Sequence, residues 1–208
     1  MSKRVLDSSR YSTVTGLFYK NTSVPAVEAQ DEGVDNIVKI DQEITNAIIR
    51  IDLHVDGNQD DWLKIGIKTD DSLSGGPVIG LERGNNCCQD KGCSGMMMNC
   101  MTGYIYKVIM KDSANVDVGH YNYCLLPVCQ APLMDEKFRI WLKLNGTTVE
   151  YKYYRWVSGA WSLLFSNSFV DSDMSASGYI YLATNYSAVQ ILQTKIIEQE
   201  AKAINWSS

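Results

Sequence analysis

Long apolar runs and basic clusters are both absent from this 208-residue sequence. No stretch of about 18 apolar residues occurs, so no membrane-spanning helix is predicted. Lys and Arg are scattered along a chain whose formal net charge is -5 and whose pI is about 5.0. Binding to nucleic-acid phosphates needs a clustered excess of these residues. Neither a membrane span nor a nucleic-acid partner is therefore expected.

Groups that carry catalysis are scarce. The chain has 2 histidines, and both His54 and His120 are interpreted as exposed or structurally satisfied residues instead of general bases. No G-x-S-x-G, H-E-x-x-H, Gly-rich phosphate loop or C-x-x-C motif occurs. Asp52 and Asp56 are not convincing as the facing carboxylate pair that glycan hydrolysis requires. We therefore predict a protein that is not an enzyme and that has no resident cofactor.

A secretion signal is not visible either. Lys3 and Arg4 are followed by no apolar stretch, so we expect no cleavable leader in the chain as given. The 6 cysteines and the N-x-S/T triplets nevertheless suit an extracellular protein. We expect an extracellular particle or virion, with the cytoplasm as the alternative location.

What the sequence does contain is strict alternation of apolar and polar residues. The segments "AIIRIDLHV" and "WLKIGIK" alternate in this way, which predicts two half-buried strands, and the polar "DGNQDD" between them predicts a hairpin turn. In "FRIWLKLNGTTVEYKYYRW" a second hairpin is predicted to turn at Asn145-Gly146, a pair that tolerates positive φ. About nine strands without alternating helices indicate an all-β fold, an antiparallel β-sandwich or jelly roll.

One domain with irregular ends is expected. We predict an N-terminal arm or edge strand over residues 1–33 and the sandwich over residues 34–197, with a Cys- and Met-rich inter-strand loop at 84–103. A C-terminal tail is predicted over residues 198–208. The one plausible helix is "KIIEQEAKAIN", although its first half also suits a strand.

The second half of the chain resembles a known superfamily. The order of "FRIWLKLNGTTVEYKYY", "WSLLFS" and "GYIYLATNYSAVQILQTKI" is similar to the C-terminal half of concanavalin A-like, laminin G-like sandwiches of the lectin and glucanase superfamily. The resemblance covers roughly residues 45–68 and 136–197 and consists of strands and turns. It implies the fold more than any function.

Aromatic residues with polar tips are plentiful, with 5 Trp and 12 Tyr against 4 Phe. Such rings are common in contact surfaces. Trp141 is predicted to point away from the aliphatic residues of its strand, as are Tyr154 and Trp156 on the partner strand. These three rings either form a platform for a glycan or a protein partner, or lie covered by another segment.

Residues 85–101, "NNCCQDKGCSGMMMNCM", concentrate cysteine and methionine. The methionines Met96, Met97 and Met98 are predicted to contact a partner. The cysteines either form disulfides, remain reduced and pack as small apolar groups, or bind a metal such as zinc. The disulfide candidates are Cys87, Cys88, Cys93, Cys100, Cys124 and Cys129.

A calcium site is a weaker hypothesis. Asp56, Asn58 and Asp60 stand at positions 1, 3 and 5 of an EF-type loop, but Asp61 and Ile67 occupy the positions that need Gly and Glu. A polar turn is the favoured interpretation of this segment.

Three functions follow from these patterns. The favoured prediction is a non-enzymatic structural or assembly subunit, of the virion, fibre or filament kind, which binds itself or other structural proteins through the loop at 85–101. The alternative is a lectin-like module that binds carbohydrate or protein. A glycan hydrolase on the same fold is the third hypothesis.

Overall fold

The computed structural model describes residues 3–6, 10–15, 18–21, 26–29, 35–56, 62–84, 105–124, 136–185 and 188–198. These residues form fifteen β-strands and no α-helix. The prediction of an all-β fold is therefore confirmed. Within this part of the chain, no helix has the length and apolar character needed to cross a membrane.

The strands form two antiparallel sheets that pack as a sandwich. The eight-stranded sheet contains β1 (Lys3–Leu6), β3 (Phe18–Asn21), β4 (Ala26–Ala29), β6 (Ala47–Asp56), β11 (Glu136–Asn145), β12 (Thr148–Val157), β13 (Ala160–Val170) and β15 (Ala188–Glu198). The seven-stranded sheet contains β2 (Tyr11–Thr15), β5 (Asp35–Ile44), β7 (Trp62–Thr69), β8 (Val78–Gly84), β9 (Ile105–Lys111), β10 (Asp117–Cys124) and β14 (Gly178–Asn185).

The order of strands fixes which of them lie at the edges. The eight-stranded sheet runs β13, β12, β11, β6, β15, β4, β3, with β1 also paired to β15. The seven-stranded sheet runs β10, β9, β8, β7, β14, β5, β2. Among the described strands, β13 lies at one edge of the eight-stranded sheet and β3 and β1 lie at the other, while β10 and β2 end the seven-stranded sheet.

Alternation places one face of each sheet in a common core. Ile49 and Ile51 of β6 belong to the same buried cluster as Ile65 and Ile67 of β7, although the two strands lie in different sheets. Burying each of these side chains contributes about 1.5–3 kcal/mol relative to leaving it exposed.

A buried hydrogen bond also joins the two sheets. The hydroxyl of Tyr11 on β2 donates to Oγ1 of Thr194 on β15 (2.7 Å), and both residues are fully buried. Because a buried hydroxyl without a partner is costly, this bond favours one relative placement of the sheets.

The predicted hairpin of β11 and β12 is confirmed, with one correction to its turn. Asn145 is still in the ladder, opposite Thr148, so the two turn residues are Gly146 and Thr147. Gly146 has φ of 58° and Thr147 has no positive φ, which fits a type II′ turn instead of the predicted type I′. The backbone N–H of Gly146 donates to the side-chain oxygen of Asn46 (2.8 Å), which holds the turn in place.

The predicted hairpin of "AIIRIDLHV" and "WLKIGIK" is wrong. Both segments are strands, but β6 pairs with β11 and β15, whereas β7 pairs with β8 and β14. The connection between them therefore crosses from one sheet to the other. Alternation identifies a half-buried strand and its inner face, but it does not identify the partner strand.

The two ends of the chain contribute strands. The span 1–33 contains β1 to β4, which pair with strands from later in the chain or with each other. Strand β15 continues through Glu198, so the first residues of "KIIEQEAKAIN" are extended and not helical. Residues 199–208 lie outside the described part, and the predicted domain bounds stay predictions.

The Gly146 turn gives a direct test of the hairpin geometry. We expect Gly146→Ala to lower the free energy of unfolding by about 1 kcal/mol, because a side chain at positive φ is strained even where space is open. Gly146→Asn should lose less, since asparagine tolerates this conformation. Urea unfolding measures both variants, and equal stability of the alanine variant and the parent would contradict the assigned turn.

Candidate functional site

A cleft of about 470 Å³ lies on the outer face of the seven-stranded sheet. Its floor includes residues that stand opposite one another on four neighbouring strands: Ile37 on β5, Ala183 on β14, Lys64 on β7 and Gly80 on β8. Ala183 and Gly80 carry little or no side chain, so the space above the sheet stays open beside the lysine. The result is a concave surface with an apolar floor and two lysines in its lining, Lys64 on the floor and Lys111 at the end of β9.

The turn between β7 and β8, residues 70–76, forms the first wall of the cleft. Oδ1 of Asp70 accepts hydrogen bonds from the backbone N–H and the hydroxyl of Ser72 (2.9 and 2.7 Å) and from the N–H of Ser74 (2.9 Å). One carboxylate oxygen thus organises the whole turn. Ser72 and Ser74 also line the cleft and add polar groups to its wall.

An apolar contact attaches this turn to the sheet. Leu73 packs against a small cluster formed by Ile37, Tyr181 and Ala183 on the outer face. The turn approaches so closely that a Cβ added at Gly66 would lie 2.7 Å from Cδ2 of Leu73. The same Cβ would lie 2.4 Å from Oγ1 of Thr69, so glycine at position 66 avoids crowding by both Thr69 and the side chain of Leu73.

The second wall is the turn between β9 and β10, residues 112–116. Oδ1 of Asp112 accepts from the backbone N–H groups of Ala114 and Val116 (3.0 and 2.9 Å). Asn115 has φ of 62°, and its side-chain oxygen accepts a hydrogen bond from Nζ of Lys111 (3.1 Å). Both walls are therefore turns built around an aspartate that binds its own backbone.

Asp171 fastens the second wall to the body of the sandwich. This residue follows β13 and is only 4% exposed. Its Oδ2 accepts from the backbone N–H and the hydroxyl of Ser113 (2.8 and 2.6 Å), and its Oδ1 accepts from the backbone N–H of Asp173 (3.1 Å). Both carboxylate oxygens are satisfied, and one buried side chain holds two separate loops together.

The charges around the first wall are set by its hydrogen bonds. The hydroxyl of Ser72 and the backbone amides of the turn hold the pKa of Asp70 below its usual value. A carboxylate with a lowered pKa stabilises the fold above the pKa of the unfolded chain, and this contribution is lost as the pH falls through the folded pKa. Burial, together with the hydrogen bond to Asp71 (2.7 Å), raises the pKa of Tyr181, so its hydroxyl stays protonated near neutral pH.

The three aromatic residues predicted as a contact platform lie on the opposite side of the sandwich, on the outer face of the eight-stranded sheet. Trp156 is 42% exposed, while Trp141 and Tyr154 are half-buried. The ring of Trp156 meets that of Trp161 edge to face, with centroids 5.0 Å apart. The structure thus adds Trp161 of β13 to the predicted set.

Arg139 connects these rings to a charged network. Its Nε and Nη2 donate to the two carboxylate oxygens of Asp52 (2.7 and 2.9 Å), and its guanidinium lies 4.2 Å from the ring centre of Trp161. Arg50 adds a third hydrogen bond to the same carboxylate (2.9 Å). The face of Trp161 is therefore already occupied by a cation within the protein, which leaves Trp156 as the exposed ring.

Several predicted residues lie outside the described part of the chain: Asn58, Asp60, Cys87, Cys88, Cys93, Met96, Met97, Met98, Cys100 and Cys129. Asp56 is the last residue of β6, and Cys124 is the last residue of β10. The predictions of disulfides, of a methionine contact and of a calcium site therefore stay predictions.

The described residues do not fit a metal site. They contain no group of three or more His, Cys, Asp or Glu side chains that could hold an ion. Beside the cleft, Asp70 and Asp112 each use Oδ1 on their own backbone.

The cleft was not predicted from the sequence, because the segments that form its walls are two short turns that lie far apart in the chain. "DDSLSGG" and "DSAN" each follow a strand and begin with aspartate, a residue that binds nearby backbone amides in turns. Those signals predict turns, but they do not show that the two turns flank the same strands. That information lies in the strand order, which places β7, β8 and β9 side by side.

Several solved structures share this architecture at low sequence identity. The lumenal domain of VIP36, in a form bound to Ca²⁺ and mannose, aligns with a TM-score of 0.60 and 10% identity over 95% of this chain and 87% of that chain. A legume lectin-like domain from Entamoeba histolytica aligns with a TM-score of 0.55 and 10% identity over 92% and 91%. Winged bean acidic lectin in complex with methyl-α-D-galactose aligns with a TM-score of 0.55 and 7% identity, over 96% of this chain and 100% of that chain.

At the level of sequence, no protein-family model matches the chain, and no curated protein matches it significantly. The chain has the concanavalin A-like sandwich fold, so the resemblance seen in its second half is confirmed as a statement about fold.

Removal of the Asp171 carboxylate tests how the second wall is held. We expect Asp171→Ala to lower the free energy of unfolding by roughly 2–4 kcal/mol, because it deletes three hydrogen bonds that a buried carboxylate accepts. The matched control is Asp173→Ala, whose side chain is exposed and should matter by less than about 0.5 kcal/mol. Equal stability of the two variants in urea unfolding would contradict the anchoring role of Asp171.

Proposed function

We propose that this protein is a lectin-like, carbohydrate-binding module and that the glycan binds in the cleft on the outer face of the seven-stranded sheet. The observation that carries the proposal is the cleft itself, with its volume of about 470 Å³ and its mixed lining. This volume falls within the range of roughly 300–1,000 Å³ that is typical of small-molecule sites.

The chemistry of the lining suits a sugar ring. A pyranose has an apolar C–H face and a rim of hydroxyl groups that both donate and accept hydrogen bonds. In the cleft, Ile37 and Ala183 supply apolar floor, while Lys64, Ser72 and Asn115 supply donors and acceptors. The walls are fixed by their internal hydrogen bonds, so little ordering cost is expected when a ligand enters.

The comparisons support the same ligand class. VIP36 was solved with mannose and winged bean acidic lectin with a galactoside, and their fold is shared by this chain. At identities of 7–10% the shared fold alone does not transfer a sugar specificity. The proposal of a glycan ligand therefore rests on the apolar and polar residues that line this cleft.

The lining of the cleft favours glycan binding over glycan hydrolysis. Among the described lining residues the only carboxylate is Asp112, whereas glycoside hydrolysis uses a pair of carboxyl groups. Asp112 also uses one oxygen to hold its own turn. We propose a non-enzymatic module on these grounds.

A secretory or extracellular compartment fits this role. The VIP36 structure that shares this fold is that of its exoplasmic or lumenal domain. The 6 cysteines of this chain also suit an oxidising compartment. The assembly-subunit hypothesis is less well supported by the comparisons than the lectin-like alternative. Its contact loop at 85–101 lies outside the described residues, so that hypothesis stays a prediction.

Glycan-array screening followed by calorimetry tests the proposed function. We expect binding to at least one glycan class, measured both with added Ca²⁺ and with a chelator so that a metal requirement is detected. Lys64→Ala should weaken binding at least tenfold, because a hydrogen bond from a charged donor contributes about 1.5–3 kcal/mol. Asn115→Gly should also weaken it, since it removes the side chain while allowing the positive φ.

The matched control is Lys152→Ala, which removes a lysine from the outer face of the other sheet. This control should bind as the parent does. A blank array would overturn the proposal. Binding that survives both cleft variants but is lost in Trp156→Ala would move the site to the aromatic residues of the eight-stranded sheet.

A further inference from the structure

Four Asn-x-Ser/Thr triplets occur in the sequence, and none of them has proline in the middle position. In exported proteins such a triplet accepts an N-linked oligosaccharide, which has to be accommodated at the protein surface. The triplets begin at Asn21, Asn145, Asn185 and Asn205. The structure describes all three residues of one of them, the triplet at 145–147, so the environment of this acceptor can be examined directly.

The triplet Asn145-Gly146-Thr147 forms the end of the β11–β12 hairpin. Asn145 is the last residue of β11, and Gly146 and Thr147 are the two residues of the turn. All three residues are exposed. Because Asn145 follows the buried Leu144 in an alternating strand, its side chain lies on the outer face of the eight-stranded sheet. The acceptor asparagine and the threonine that the motif requires are therefore both at the surface.

The hydrogen bonds that hold this turn use its main chain. The backbone N–H of Gly146 donates to the side-chain oxygen of Asn46 (2.8 Å). The carbonyl oxygen of Thr147 accepts from the backbone N–H of Asp171 (2.8 Å). Neither bond involves the side-chain amide of Asn145, so an oligosaccharide on that amide can extend into solvent while the hairpin keeps its geometry.

We propose that Asn145 is an acceptor for N-linked glycosylation when this chain enters a secretory lumen. The donor is an oligosaccharide carried on a lipid pyrophosphate. Nδ2 of Asn145 forms a bond to the anomeric carbon of the first sugar, and the bond from that carbon to the phosphate oxygen breaks. The amide nitrogen loses one proton, and the lipid pyrophosphate is the leaving group. In the natural setting this modification rests on the proposed secretory compartment, and it does not rest on the cleft.

A glycan at this position leaves the proposed ligand site open. The cleft lies on the outer face of the seven-stranded sheet, whereas Asn145 lies on the outer face of the other sheet. None of the described residues that line the cleft belongs to β11 or β12. Glycosylation of Asn145 and ligand binding in the cleft should therefore be independent of each other.

Expression of the full chain behind a cleavable secretion leader in eukaryotic cells tests the proposal. A reporter Asn-x-Thr triplet in a C-terminal tag identifies the molecules that have entered the lumen. We expect mass spectrometry to find the oligosaccharide on Asn145 in most molecules whose reporter is glycosylated. Intact glycopeptides are the required readout, because an Asn-Gly pair also deamidates spontaneously and the resulting aspartate resembles the product of enzymatic glycan release.

Substitutions within the triplet separate the motif from the fold. Asn145→Gln and, separately, Thr147→Ala should each abolish the modification at this position, whereas Thr147→Ser should retain it because serine also satisfies the motif. The matched control is Thr148→Ala, which removes the neighbouring threonine, leaves the triplet intact and should be glycosylated as the parent is. Circular dichroism establishes that each variant is folded.

Two results would overturn the proposal: an unmodified Asn145 in molecules whose reporter is glycosylated, or a glycan at this position that survives Thr147→Ala. The function of the cleft is tested separately, by glycan binding to unmodified protein produced in bacteria. A failure of ligand binding there would leave the acceptor site at Asn145 standing, and a failure of glycosylation would leave the cleft proposal standing.

Discussion

Burial of one face of each sheet is the constraint on which the rest of this structure depends. Strict alternation along β6, β7, β11 and β12 commits half of the side chains of each strand to a shared core. The hydrogen bond from Tyr11 to Thr194 adds a polar contact between the two sheets inside that core. Because the inner faces are used for stability, the surfaces left for binding a ligand or a partner are the outer faces, the turns and the edges.

The two outer faces differ in how much space they leave for a ligand. On the eight-stranded sheet, Asp52, Arg139 and Trp161 satisfy one another, which gives an ordered but largely self-contained surface. On the seven-stranded sheet, small residues leave room above the strands, and the turns at 70–76 and 112–116 enclose it. Each of these turns depends on an aspartate whose hydrogen bonds stay within the protein, so the walls are in place before any ligand arrives.

The extent to which sequence predicted this structure differs by element. The β11–β12 hairpin was predictable because apolar and polar residues alternate along β11 and along β12 as far as Tyr153, and a glycine lies between the two strands. The partner of β6 was not, because period-2 alternation gives the inner face of a strand and not its neighbour. Trp156 was placed correctly on the outer face, but the contact between Arg139 and Trp161 joins strands β11 and β13, which are not adjacent in the sheet. The cleft depends on turns brought together by strand order, for which local sequence carries no signal.

Chemical-shift mapping by NMR, during titration with a glycan that binds, tests most directly whether the glycan binds in the turn-enclosed cleft. We expect amide shifts to concentrate at Lys64, Gly80, Ser74 and Asn115, on the outer face of the seven-stranded sheet and its two turns. Shifts confined to Trp156, Trp161 and their neighbours on the eight-stranded sheet, with the cleft amides unchanged, would contradict it.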